Sequence, residues 1–238
     1  MQSEVAQLPL SHKLLAWFET NKKQVLWGAG IIAGLIVIVS FFNWNKTQRE
    51  LKASEALSDA STAQLSSPGA KPEADAFLKV AANYPKSIAG TRALLLAAGT
   101  LFVEGKFPEA RIQFERFSRE HHDSPFMGQA LLGIGASWDA QGKTNEAVAA
   151  YKNLVDRHPG ESVIPQAKFA LARLYEAQGK LEQARIYYEE LNRGDQYGSL
   201  GSEAGMRLEE MMAKNPSLAA KPVTTTPTNA IPFAVPKP

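Results

Sequence analysis

Residues 131–159 read LLGIGASWDAQGKTNEAVAAYKNLVDRHP, and two separate stretches of helix are written into them. Leu131, Ile134, Gly135 and Trp138 fall at i, i+3, i+4 and i+7 on one helical face, and Ala147, Tyr151 and Leu154 do the same further on. Between them stands Gly142-Lys143. Glycine ends a helix well because, lacking Cβ, it enters the left-handed conformation without a clash. Pro159 bars continuation of the second stretch. The segment predicts two antiparallel helices joined by a tight turn.

The pattern recurs. Gly105-Lys106, Gly142-Lys143 and Gly179-Lys180 are each 37 residues apart. The same step connects Ala98, Gly135 and Ala172; Leu101, Trp138 and Tyr175; Ala110, Ala147 and Ala184; and Phe114, Tyr151 and Tyr188. Small residues let helix backbones approach, and the large ones beside them fill the remaining space. Looser columns join Phe117, Leu154 and Leu191, and His122, Pro159 and Gln196. Extended backwards, the register pairs Phe77 with Phe114 and Pro85 with His122, which predicts a second helix over 73–84. Its partner is a first helix over 51–65, continuous with the apolar segment before it. Extended forwards, Ala204 and Leu208 continue Ala167 and Leu171, predicting a closing helix over 200–214. The fold class is all-α: an α-solenoid of helix hairpins.

Ahead of the repeats, residues 25–44 read VLWGAGIIAGLIVIVSFFNW without a charge. At about 1.5 Å per residue this run covers roughly 30 Å, the thickness of a bilayer core. Trp27 and Trp44 suit the two interfaces, and Lys22, Lys23, Lys46 and Arg49 end the run on either side. The run is too long for a cleaved signal core. It predicts a transmembrane helix, with 1–24 as a short segment before it, 45–214 as the repeat domain and 215–238 as a proline-rich, disordered tail. Basic residues flank the span equally, so charge leaves its orientation open. Leu14, Leu15, Trp17 and Phe18 form an apolar patch suited either to the membrane surface or to a frayed end. Gly30 and Gly34, four apart beside Ala33, would let a second transmembrane helix approach.

The remaining chemistry is thin. With 26 basic and 24 acidic side chains there is no field to recruit nucleic acid, and with no cysteine there are no disulfides, thiolate metal sites or thiol nucleophiles. His121, His122 and His158 fall at the ends of second helices, where an imidazole suits the helix dipole, and no third ligand accompanies them at metal-binding spacing. Glu189-Glu190 and Glu209-Glu210 are adjacent pairs that point about 100° apart on a helix. Gly28-Ala29-Gly30 lies inside the apolar span and follows no strand. The sequence predicts no catalytic residue, no cofactor and no metal.

The order large, apolar, small, large on the first helix, then alanine, aromatic and proline on the second, resembles the tetratricopeptide repeat. Lys168, in place of an apolar anchor, and Gln196, in place of the proline, depart from it. The period exceeds the usual repeat by three residues, which are placed around 125–127 and 163–165. In the family's geometry the first helices line a concave groove, and register assigns to it Arg92, Leu95, Gly99, Phe102 and Val103, then Gln129, Leu132, Ala136, Asp139 and Ala140, then Gln166, Phe169, Arg173, Glu176 and Ala177. The candidate protein-binding residues are Leu95, Phe102, Val103, Leu132, Phe169 and Arg173. Leu95, Leu132 and Phe169 stand where the family's carboxylate clamp needs polar side chains, so an apolar strip is expected instead. The closing helix or the tail folded back over that strip is the alternative.

As far as Lys214 the layout is similar to the YfgM-like ancillary subunits of the SecYEG translocon, a family that shares its repeat class with the CpoB-type cell-division coordinator. The resemblance is carried by Trp17-Phe18-Glu19-Thr20-Asn21-Lys22, the glycine-rich span, Phe42-Asn43-Trp44-Asn45 and Ala53-Ser54-Glu55-Ala56-Leu57. It implies a cytoplasmic amino end, a periplasmic repeat domain on the bacterial inner membrane, and a chaperone-like role toward translocating or unfolded clients, with translocon subunits as partners. The rival is an envelope scaffold for cell division or wall synthesis, and an enzyme is a distant third.

Overall fold

The computed structural model describes residues 10–65, 73–194 and 198–219, and the secondary structure among them is helical. The helices are α1 (Leu10–Leu65), α2 (Ala74–Asn83), α3 (Ile88–Val103), α4 (Phe107–Glu120), α5 (Met127–Ala140), α6 (Thr144–Arg157), α7 (Ile164–Ala177), α8 (Leu181–Gly194), α9 (Ser199–Lys214) and the single turn α10 (Pro216–Ala219). The all-α repeat fold read from the sequence is the fold observed. Helix α1 runs unbroken from the apolar segment into the repeats; its one irregularity is Asn21, at φ −111° and ψ 18°.

The 37-residue period is visible in the backbone. Gly105, Gly142 and Gly179 have φ of 77°, 70° and 70°. After each, the lysine amide reaches back to the large residue that ends the first helix: Lys106 to Leu101 (2.9 Å), Lys143 to Trp138 (3.0 Å) and Lys180 to Tyr175 (2.8 Å). The glycine amides bond to Phe102, Asp139 and Glu176. This is a Schellman closure made three times, and it satisfies carbonyls that a helix end leaves open.

Packing follows the small-against-large columns. Ala98, Ala172, Ala110, Ala147 and Ala184 are wholly buried, with Phe114, Tyr151, Tyr188, Phe117 and Leu154 buried beside them. Side chains of this size contribute roughly 1.5 to 3 kcal/mol each when fully buried. Two clusters result, one under α2 to α5 and one under α6 to α10. Helix α5 borders both, and its glycines are sockets. A Cβ on Gly133 would meet the Phe114 ring from α4, and one on Gly135 would meet the Tyr151 ring from α6. Lys168, the departure from the apolar pattern, lies half-buried and pairs with Glu190 at 2.7 Å, tying α7 to α8.

The carboxyl end extends the sequence reading. The composition predicts a tail from 215, but helix resumes at Pro216, where a missing amide costs nothing, and Leu218 is buried against the last repeat. Arg185, itself buried, donates to the Leu218 carbonyl and to Glu189. Residues 220–238 and Gln196 lie outside the described residues.

Candidate protein-binding groove

Each helix packs on its sequence neighbour, and α1, α3, α5, α7 and α9 also abut one another in succession. These first helices therefore form the inner face of the curved stack. Every groove position assigned by register is at least partly exposed to solvent. Leu95 and Phe102 pack by one side on the first core cluster, and Leu132 and Phe169 on the second, so they form a half-buried floor. The Phe102 ring meets Phe107 at 5.1 Å and the Phe169 ring meets Tyr188 at 5.9 Å, both edge-on. Val103 stands free at 75% exposure.

The inner face is not uniform. On α7, Arg173 donates to Asp139 of α5 at 2.9 Å, joining two register-assigned groove residues, and the Tyr188 hydroxyl donates to Glu176 at 2.9 Å. Burial, and then that bond, push the Tyr188 hydroxyl above its ordinary range and keep it protonated. On α3, by contrast, Ile88, Leu96 and Val103 share one face with Arg92 and Gly99 and are 69%, 42% and 75% exposed. Ile88, Arg92 and Leu96 line a groove with Ser54, Ser58 and Ser61 of α1. The register left out Ile88 and Leu96, although both lie on the face of Arg92, Gly99 and Val103, which it assigned to the groove. Helix α9 packs on α8 and α7 at the end of the stack, so among the described residues it leaves the inner face of α3 and α5 uncovered.

Glu50 escaped the sequence reading as well. Its two carboxylate oxygens accept from the Ile88 and Ala89 amides, each at 2.9 Å, while the Ser87 hydroxyl accepts from the Gly90 amide at 2.8 Å. The first amides of α3 are thus capped, and an anion sits at the positive end of its dipole. Glu50 lies 37 residues before Ser87, the one trace of this role in the repeat register.

Elsewhere, the Arg111 guanidinium and the Lys143 ammonium lie over the Trp138 ring, 4.2 Å and 4.7 Å from its centroid. His121 caps the end of α4 with its ring 5.3 Å from that of Phe117 and tilted 54° to it, and burial holds its imidazole below the ordinary range. Among the described residues no group of three or more histidine or acidic side chains could hold a metal ion. Helix α1 carries one stretch long and apolar enough to cross a membrane, with mean hydropathy 2.5, and Ile31, Leu35, Val37, Phe41 and Trp44 are exposed along it. Gly30 and Gly34 lie open on that stretch, Gly30 in a shallow notch with Leu26, Trp27 and Ile31.

Repeated hairpins around an open inner face define a helical-repeat scaffold of the protein-interaction class. The chain belongs to the tetratricopeptide repeat-like domain family, whose model matches residues 15–134, and a tetratricopeptide repeat model matches 137–199. The crystal structure of MamA is similar at TM-score 0.42 and 17% identity over 62% of this chain and 90% of that one. A search of curated proteins returned no match.

Proposed function

We propose that this chain is a bacterial inner-membrane protein in which α1 crosses the bilayer, amino end in the cytoplasm, and the repeat groove holds apolar segments of translocating or unfolded chains beside the translocon. The observation that carries this reading is the uncovered apolar face of α3, Leu96 and Val103, set next to the helix that leaves the apolar segment. An exposed apolar row over a half-buried floor of Leu95, Leu132 and Phe169 suits a partner's hydrophobic segment, helical or extended. Gly30 and Gly34 leave room for a translocon helix against the span. The envelope-scaffold reading has one observation in its favour: the inner face of α7, with Gln166, Arg173 and Glu176, is polar and suits a folded surface.

Photo-cross-linkers at Leu96 and Leu132, compared with Gln166 and the outer-face Lys152, separate the two. Adducts to translocon subunits and nascent chains from the first pair are expected. Adducts only to folded division proteins, from Gln166, would move the conclusion to the scaffold; equal labelling from all four would discard the groove. Orientation has its own check, a reporter active only outside the cytoplasm fused after Ala219. Signal is expected, and a silent but stably expressed fusion reverses the topology.

A further inference from the structure

Helix α1 leaves its apolar stretch at Trp44, and Glu50 lies six residues on, about 9 Å along the axis. Because Glu50 holds the first two amides of α3, it fixes the start of α3 at that height. From there both helices lead away together along their shared groove, from Glu50 to Ser61 and from Ile88 to Leu96. The loop after α4 lies at the same end, since Thr91 Oγ1 is 3.4 Å from His121 Nδ1 and Ile88 shares a hollow with His121 to Phe126. The headgroup zone extends roughly 5 to 7 Å beyond the hydrocarbon core. An edge of the repeat domain is therefore brought to the bilayer surface by the chain itself.

The chemistry of that edge matches the surface it meets. Two of its carboxylates are engaged, Glu50 by the α3 amides and Glu120 by Arg116 at 2.9 Å, while Asp123 is 91% exposed and meets His122 at 3.0 Å. Lys46, Arg49 and Lys86 are exposed and meet no ion-pair partner among the described residues. Ile88 adds an apolar side chain 69% exposed. We propose that this edge, Lys86 and Ile88 with Lys46 and Arg49 of α1, rests on anionic phospholipid headgroups and so sets the attitude of the groove to the membrane. The inference rests on the reading that α1 spans the bilayer.

The chain contains no cysteine, so single cysteines can be placed freely. The full chain, carrying a fluorophore at Pro85→Cys on this edge, at Asn145→Cys near the opposite end of the repeats, or at Ile36→Cys in the span, is reconstituted into lipid nanodiscs with and without phosphatidylglycerol. A headgroup-attached spin label is expected to quench position 85 several-fold more than 145. That excess should shrink without phosphatidylglycerol and in K46E/K86E. An acyl-chain spin label should quench position 36. Quenching at 36 with no difference between 85 and 145 overturns the lipid edge and leaves the span standing; no quenching at 36 overturns the span and the edge with it. If 85 is unquenched in lipid discs but shielded in native membranes, the edge belongs to a protein partner and the lipid proposal falls.

Discussion

Gly135→Leu is expected to unfold the centre of the solenoid. Gly135 is buried on α5, and even a Cβ there would lie 2.5 Å from Cε1 of Tyr151, whose ring is 3% exposed and has little room to withdraw. Overpacking of this kind costs about 1 to 3 kcal/mol and sometimes more. For a domain of this size that lowers Tm by about 3 to 10 °C. Gly135→Ala should fall between the wild type and the leucine variant. Gly99→Ala is the control, because an added Cβ there meets nothing within 4 Å and replacing glycine favours the helix by up to ~1 kcal/mol. Shrinking the opposing ring should recover part of the loss, so Gly135→Leu with Tyr151→Ala is expected to be more stable than the sum of the single changes. Thermal unfolding of the full chain in detergent reads these variants together with Tyr151→Ala alone; an unchanged midpoint for Gly135→Leu would refute the packing register.

The second large effect is expected at Glu50. Glu50→Gln removes the charge and one of the two acceptors facing the Ile88 and Ala89 amides. Hydrogen bonds to an ionised group are worth about 1.5 to 3 kcal/mol, and partial exposure of Glu50 places the net loss at about 1 to 2 kcal/mol. The effect is local: hydrogen exchange at residues 88 and 89 should accelerate about 5- to 30-fold, while amides of α7 and α8 hold their rates. Unchanged exchange at 88 and 89 would show that the cap contributes nothing.

How much of this was legible in the sequence differs by kind of contact. Columns with a fixed period could be read because each repeat poses the same problem: Gly142 must take a positive φ, and Ala147 must let a helix approach. The start of the closing helix and the union of the apolar segment with the first repeat followed from the same register. Glu50 could not be read this way, since its partners are backbone amides 38 and 39 residues on, and an amide leaves no signature in the side-chain pattern. Lys168 looked like a defect because its partner Glu190 lies on another helix. Leu218 fell in a proline-rich run and was assigned to the tail, while the buried Arg185 that fixes it is a repeat residue with an unremarkable place in the columns. The apolar strip was legible as a set of residues but not in its depth: Leu95, Leu132 and Phe169 lean into the core, and the exposed row joins the assigned Val103 to Ile88 and Leu96, which the columns do not mark.

With α1 spanning the bilayer as proposed, its unbroken passage from the apolar stretch to Glu50 would make the chain a compass needle as well as a tether. Each residue in that passage contributes about 100° of rotation and about 1.5 Å of height. The bearing of the groove within the plane of the membrane is therefore encoded in a residue count, the number between Trp44 and Glu50. One extra residue would swing the opening by more than a quarter turn, toward different neighbours. Seven would return it to within about 20° of its first bearing but lift it about 10 Å clear of the surface.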